Sequence, residues 1–230
     1  MGHIPFFYSS DMKTLNEEDA HHFKRVLRKR VGEKFLVGDG NGQIWWAIAK
    51  DFSSKKLVFE IQSLKEKKEK KRISLGIAIP KGHRASFLIE KICEIGVDKI
   101  YLLETKYSSV KITEGMMKRF NSIARTACLQ SEKAHLTVVE KPMVLEKITE
   151  IFKNIFVLEI TGEKENWKKF GKDIEILLVG PEGGWEKGEK IFFHKKNIPF
   201  LPLIDEPLRI ETAAIVGLSF YYSFLLISKF

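Results

Sequence analysis

The sequence predicts an α/β protein whose larger part is built on a mostly parallel sheet, preceded by a small all-β domain. Three observations carry this. From Ile73 onward, apolar strand-like runs alternate with amphipathic helical runs, the pattern of successive βαβ units. Before residue 65, short strand-like segments are separated by turn signals, as in a small barrel. Between the two, Lys65–Arg72 holds six basic and two acidic residues in eight and reads as a solvated boundary and linker.

Along the chain, Asp19–Arg30 reads as a short amphipathic helix, with Phe23, Val26 and Leu27 inward and Lys24, Arg25, Arg28, Lys29 and Arg30 outward. Strand-like segments follow at Lys34–Val37, Ile44–Ala49 and Leu57–Leu64, the first two joined by the tight-turn signal Asp39-Gly40-Asn41-Gly42. Neighbours on a strand face opposite ways, so one of Trp45-Trp46 belongs to the barrel core, and the pair's other reading is a stacking surface for an unpaired base. The larger part then runs Ser74–Ile79, Ala85–Ile95, Lys99–Leu103, Gly115–Ser131, Ile155–Ile160, Glu175–Val179, Lys187–Lys196, Phe200–Leu203 and Thr212–Ile227. In Ala85–Ile95 the apolar face is Leu88, Ile92 and Ile95; in Gly115–Ser131 it is Met116, Phe120, Ile123 and Ala127. The last helix is apolar nearly all round, which fits burial on more than one side, in a core or at a subunit interface.

Bulk properties exclude several classes. With 230 residues and 44% hydrophobic composition, the chain can bury a substantial core. Its net charge of +9 favours polyanionic partners. Residues 1–72 hold 16 Lys/Arg against 10 Asp/Glu, or +6, and residues 73–230 hold 23 against 20, or +3, so most of the excess is amino-terminal. Two cysteines, Cys93 and Cys128, form neither a disulfide framework nor a thiolate cluster, and six scattered histidines show no ligand spacing, so no metal is assigned. The start lacks the pattern of a secretory signal, and Ala213–Ile227 is 15 uncharged residues, short of the roughly 20 that span a bilayer. A cytoplasmic protein with no membrane association is expected.

The functional signal is concentrated in two segments. Gly180-Pro181-Glu182-Gly183-Gly184-Trp185 follows the apolar run Ile174–Val179 and reads as a buried strand delivering a tight turn, where missing side chains let backbone groups approach a ligand. No Lys-Ser/Thr follows the glycines, and the spacing is not GxGxxG, so phosphate and dinucleotide binding have no support. Shortly after comes Pro207-Leu208-Arg209-Ile210-Glu211-Thr212-Ala213, at a loop-to-helix junction whose unpaired N–H groups and exposed side chains suit function. Local pattern alone equally allows Glu211 as a helix-start carboxylate with Arg209 as its surface partner.

Both segments, in this order and spacing, resemble the carboxy-terminal signature of the RsmE family of 16S ribosomal RNA uridine-N3 methyltransferases, members of the knotted SPOUT superfamily. Further matches are Lys81-Gly82-His83-Arg84, Ile89–Val97, Arg125–Ser131, His22–Arg28 and Asp39-Gly40-Asn41-Gly42. The resemblance spans nearly the whole chain. It implies an α/β, trefoil-knotted and mostly parallel SPOUT methyltransferase domain over residues 71–230, preceded by a PUA-like β-barrel RNA-binding domain over residues 1–70. It also implies S-adenosylmethionine as methyl donor, 16S rRNA of the small ribosomal subunit as substrate, and a homodimer.

Carried onto this chain, the resemblance places the donor among three loops. They contribute Leu158, Glu159 and Ile160; Gly180, Pro181, Glu182, Gly183 and Gly184; and Leu203, Ile204, Leu208, Arg209, Thr212 and Ala213. Arg209 is the first choice for chemistry, as a fixed cation beside the uracil oxygens, with Glu211 and Thr212 orienting it or the substrate. Glu182 is left between the donor ribose and a partner subunit. Lys24, Arg25, Arg28 and Arg30 are candidates for RNA phosphate, and Lys81, His83 and Arg84, in the loop after the first sheet strand where the family meets RNA, for contact with the RNA substrate. The chain departs from the family's Leu-Gly-x-Arg-Ile by having Leu203-Ile204-Asp205-Glu206-Pro207, which trades glycine freedom for Ile204 and reverses a charge at Glu206. Two rivals remain at this point: a SPOUT methyltransferase acting on another RNA position or a ribose oxygen, and a non-catalytic RNA-binding or ribosome-assembly protein.

Overall fold

A computed structural model describes residues 4–69, 73–171 and 173–228, and the chain divides into two compact units. The first takes residues 1–70 together with 128–136, and the second takes 71–127 and 137–230. Met1-Gly2-His3 and the basic residues 70–72 of the expected linker lie outside the described residues.

The first unit is a five-stranded sheet of β1 (Phe6–Tyr8), β2 (Thr14–Leu15), β3 (Lys34–Gly38), β4 (Gln43–Ser53) and β5 (Lys56–Lys67), in the order β1-β3-β4-β5-β2. Its core is aromatic. Phe35 sits between Phe23 at 5.3 Å and Phe59 at 5.4 Å, both edge to face, the arrangement ring quadrupoles favour. The segment 128–136 completes the unit: Tyr8 Oη donates to Lys133 O at 2.5 Å, Gly42 N to Ala134 O at 3.0 Å and Leu136 N to Gly40 O at 2.9 Å.

Three features of this unit differ from the sequence reading. The expected helix 19–30 is α1 (Glu17–His21), capped by Asn16, followed by a π-helical turn over His22–Val26 in which Leu27 N reaches back five residues to His22 O. That extra residue rotates Val26 out of the core, where it is 60% exposed, although Phe23 stays buried. Secondly, β5 runs through Lys65-Glu66-Lys67, so the basic stretch begins inside a strand whose outer residues are solvated. Thirdly, register shifts on both sides of Trp45-Trp46 turn the pair sideways, leaving both tryptophans half-buried.

The second unit holds a six-stranded, wholly parallel sheet: β6 (Ser74–Ile77), β7 (Lys99–Glu104), β8 (Val138–Val144), β9 (Ile155–Leu158), β10 (Ile176–Val179) and β11 (Phe200–Leu201), ordered β11-β9-β10-β6-β7-β8. Central strands β6, β9 and β10 are buried at every position, as two-sided coverage demands. The helices are α2 (His83–Ile95), α3 (Glu114–Gln130), α4 (Leu145–Ile151), α5 (Lys187–Lys195) and α6 (Ile210–Ile227). After β11 at one sheet edge, the chain returns inward so that α6 packs on α2, β6 and β10. The unit is thus an α/β domain on a parallel sheet, the class the sequence predicts.

Strand β8 and helix α4 were not expected from the pattern. β8 is an edge strand with Pro142 inside it and a single fully buried residue, so it lacks the apolar signal of its neighbours; the proline is tolerated where one side has no partner. Helix α6 is long and apolar enough, by length and composition, to cross a membrane, a property that core helices share; a third of it is buried in the unit.

Candidate active site

Strands β11, β9 and β10 are adjacent, and their carboxyl ends release three loops side by side, the position where parallel α/β sheets hold ligands. Those loops enclose an open cleft. It lies wholly within the second unit.

The first loop brings Leu158, Glu159 and Ile160 to the cleft. Glu159 N donates to Leu201 O at 3.0 Å, and its carboxylate lies 3.5 Å from Lys190 Nζ of α5. Behind it, Gly217 of α6 approaches so closely that an added Cβ would overlap Leu158 Cδ1.

The second loop is the glycine turn. Gly184 N donates to Pro181 O at 2.9 Å, and Gly184 has φ +74°, which an L side chain resists. Gly180 meets the turn's other requirement: a Cβ there would lie 2.8 Å from Trp185 Cε2. The Trp185 ring is buried edge-on against Phe193 at 4.9 Å and forms part of the cleft wall. Beyond it, α5 starts with a capping box. Glu186 accepts from Gly188 N at 2.5 Å and Glu189 accepts from Glu186 N at 2.8 Å. Glu189 also accepts from Lys106 N at 2.9 Å, which ties the loop after β7 to the turn, and Tyr107 of that loop lies against Gly183.

The third loop contributes Leu203, Ile204, Glu206, Pro207 and Leu208, and α6 adds Ile210 and Ala213. Trp167 Nε1 donates to Pro202 O at 3.0 Å and anchors the loop's start. Arg209 is the residue before α6; its carbonyl accepts from Ala213 N at 2.8 Å, and its side chain is exposed. Glu211, in the first turn of α6, is 8% exposed. Its Oε1 lies 3.7 Å from Arg84 Nη1, and its buried Oε2 has no hydrogen-bond partner among the described residues.

Of the donor residues named from sequence, Gly183, Arg209 and Thr212 do not line the cleft, and the other eleven do. Gly183 faces Tyr107, while Arg209 and Thr212 are exposed at the start of α6. Glu206, Pro207 and Ile210, within the third loop but not singled out from sequence, are also walls, and Val179 and Trp185 line the cleft from outside the expected loops. Trp185 was within reach, since a large ring directly after a glycine turn must pack under it. Arg84 was expected at RNA and instead pairs with Glu182 of the turn and faces Glu211. Lys81 and His83 are exposed at the start of α2.

Three carboxylates, Glu159, Glu182 and Glu206, line the cleft with no Lys, Arg or His among its walls. Glu182 is already paired by Arg84 and Glu159 faces Lys190 from behind the walls, so the carboxylates offer hydrogen-bond acceptors to a ligand, and no cation on the walls is placed to meet a phosphate. The cleft's remaining walls are apolar side chains and turn backbone, which suit a purine ring and ribose hydroxyls. Among the described residues no group of three or more His, Cys, Asp or Glu is placed to hold a metal ion.

In the first unit, Lys24, Arg25, Arg28 and Arg30 border one shallow groove with Lys29, Val31 and Phe52. Lys24 Nζ lies 4.6 Å from the Phe52 ring centre, and Lys29 is engaged by Glu33 at 2.7 Å. Arg28 has φ +53°, a left-handed backbone that ends the helical turn and redirects its side chain.

Comparison with known proteins places these features in context. The family model described as RNA methyltransferase domain matches residues 67–221, and that described as RNA methyltransferase PUA domain matches residues 15–62. The ribosomal RNA small subunit methyltransferase E of Mesomycoplasma hyopneumoniae is 30% identical over 85% of this chain and 87% of its own length. That of Synechocystis is 28% identical over 90% of this chain and 71% of its own length. Among solved structures, a probable rRNA-methyltransferase from Porphyromonas gingivalis superposes with a TM-score of 0.86 at 25% identity, covering 98% of this chain and 100% of that one. The Neisseria gonorrhoeae ribosomal RNA small subunit methyltransferase E bound to S-adenosyl methionine superposes with a TM-score of 0.85 at 22% identity, covering 96% of this chain and 98% of that one, a likeness of fold.

Proposed function

The chain belongs to the RNA methyltransferase family of ribosomal RNA small subunit methyltransferase E proteins, and from that membership we propose that it methylates N3 of a uridine in 16S rRNA, with S-adenosylmethionine as donor. The single observation that carries the donor assignment is the cleft at the ends of β9, β10 and β11, walled by the glycine turn, apolar side chains and carboxylate acceptors. Turn backbone and carboxylate acceptors suit the hydroxyls and ammonium of such a donor, whereas a dinucleotide's phosphates would find no cationic side chain on the walls. The gonococcal relative of the same fold holds this donor.

When bound, the donor supplies an electrophilic methyl group, so the protein's task is positioning and charge stabilisation. In the site as proposed, Gly180–Gly184 presents backbone to the adenosine, and Leu158, Leu203 and Leu208 supply apolar walls. Glu159 and Glu182 accept hydrogen bonds from hydroxyls or from the ammonium end. The uracil N3 proton would leave to solvent, placing negative charge on the flanking carbonyl oxygens, and that charge would be consumed as N3 takes the methyl and the donor's S–CH3 bond breaks to leave a neutral thioether. Arg209, exposed at the cleft's edge on a helix start, is the fixed cation for that charge. Thr212, exposed one turn on, orients the base.

The RNA is held over a wider area. The groove bordered by Lys24, Arg25, Arg28 and Arg30 takes phosphates, which gives affinity without base choice, and Lys81 and His83 add contacts near the cleft. The working unit in this reading is a cytoplasmic homodimer, in which the exposed apolar end of α6, with Phe220, Leu226 and Ile227, is covered by a second copy.

The deciding experiment is transfer of labelled methyl from S-adenosylmethionine to small ribosomal subunits lacking the modification, followed by nucleoside analysis, with Arg209→Ala in parallel. Label in 3-methyluridine that disappears with Arg209→Ala is the expected outcome. Label on a ribose would move the reaction to another SPOUT chemistry, and no transfer to subunits or naked RNA would refute the proposal.

A further inference from the structure

Arg84 is the second residue of α2, and its side chain is only a quarter exposed. The guanidinium faces two carboxylates from different parts of the chain. Nη2 pairs with Glu182 of the glycine turn, and Nη1 lies 3.7 Å from Glu211 Oε1 at the start of α6. Glu182 is on the cleft wall, and Glu211 is two residues from Arg209. Among the described residues Arg84 is the charge partner of Glu211, whose other oxygen is buried without a hydrogen bond. A phosphate contact needs an exposed cation that reaches outward, as Lys81 is; Arg84 is held inward by opposite charge.

We propose that Arg84 is a positioning residue for methyl transfer: its planar fork joins the donor turn, through Glu182, to the start of α6, through Glu211, and so fixes Arg209 relative to the donor. This rests on the function proposed above. Two-carboxylate bridging is work for arginine in particular, because its donors lie in a rigid plane that a lysine cannot reproduce. Removing the cation strands a buried carboxylate, whereas removing both charges does not. That asymmetry separates the role from a surface contact.

The test uses the full chain with Arg84→Met, Arg84→Lys and the double variant Arg84→Met/Glu211→Gln. S-adenosylmethionine binding is measured by calorimetry well below each melting temperature, and affinity for small-subunit RNA is measured across salt concentrations. The expected result is that Arg84→Met weakens donor binding about tenfold or more. Arg84→Lys should recover part of it, the double variant should melt higher than Arg84→Met, and the salt dependence of RNA binding should stay as in wild type. Unchanged donor affinity in Arg84→Met, with RNA binding weakened and its salt slope reduced by about one, would overturn the proposal in favour of a phosphate contact. A wild-type chain that binds no S-adenosylmethionine would instead overturn the functional reading; the melting comparison still tests the bridge in that case. Failure of the double variant to exceed Arg84→Met would overturn the bridge itself.

Discussion

Adding one methyl group to the glycine turn should have consequences that depend on which glycine receives it. In Gly180→Ala the new Cβ would stand 2.8 Å from Trp185 Cε2 and 2.9 Å from its Nε1, well inside ordinary contact. The ring cannot swing away: it is 5% exposed and packed edge-on to Phe193 at 4.9 Å. Overpacking of this kind costs about 1–3 kcal/mol. At about 2 kcal/mol the melting temperature of the second unit should fall by roughly 4–8 °C, on the scale for chains of this size. Gly180 also lines the cleft, so the displaced turn should lose donor affinity as well. Gly184→Ala differs in kind, because nothing lies within 4 Å of its Cβ and the cost comes from φ +74° alone, about 1–2 kcal/mol. Asparagine tolerates that backbone, so Gly184→Asn should be milder than Gly184→Ala, whereas Gly180→Asn should be worse than Gly180→Ala. Calorimetric melting and donor titration of the four variants provide the assay. A Gly180→Ala protein that melts and binds as wild type, or that is rescued by asparagine, would refute the steric account.

Other expectations follow from the same geometry. Arg209→Ala should retain S-adenosylmethionine binding within a few-fold, since Arg209 is exposed and outside the cleft wall, yet lose methyl transfer; parallel titration and transfer assays check this. Arg28→Ala should reduce the slope of log K against log salt for RNA binding by about one, whereas Lys29→Ala, whose ammonium is already engaged by Glu33, should change it less. Glu175 accepts from Asn154 N at 2.9 Å and Lys153 N at 2.7 Å, and these bonds hold its carboxyl below the usual range. Because its folded pKa is depressed, the stability it contributes is present above the unfolded value near 4.5 and is lost as pH falls through the lower folded value. Acid unfolding of Glu175→Gln should therefore show a shallower loss over that window than wild type.

Much of the architecture was written in local patterns, and the exceptions have identifiable causes. Buried central strands such as Ile176–Val179 announce themselves because both faces must be apolar, whereas β8 is an edge strand carrying Pro142 with a single fully buried residue. The π-turn after α1 was invisible because side-chain periodicity cannot separate a four-residue from a five-residue hydrogen bond, and only the exposure of Val26 reveals it. At the cleft, the glycine turn was legible since Gly180 and Gly184 are each required by something local. Arg84 was not: its partners Glu182 and Glu211 lie 98 and 127 positions later, and chemistry at that separation is a property of the fold.

The first unit needs residues 128–136, so its amino-terminal 70 residues emerge from synthesis without the strap that Tyr8, Gly40 and Gly42 bind. The 66 residues from 71 to 136 must be translated before that strap exists, a delay of roughly 3–13 s at about 5–20 residues per second. During the wait, backbone groups such as Gly40 O and Gly42 N can bond only to water. The two bodies therefore mature in an interleaved order, and an amino-terminal fragment cut near residue 70 should be a poor stand-in for the first unit.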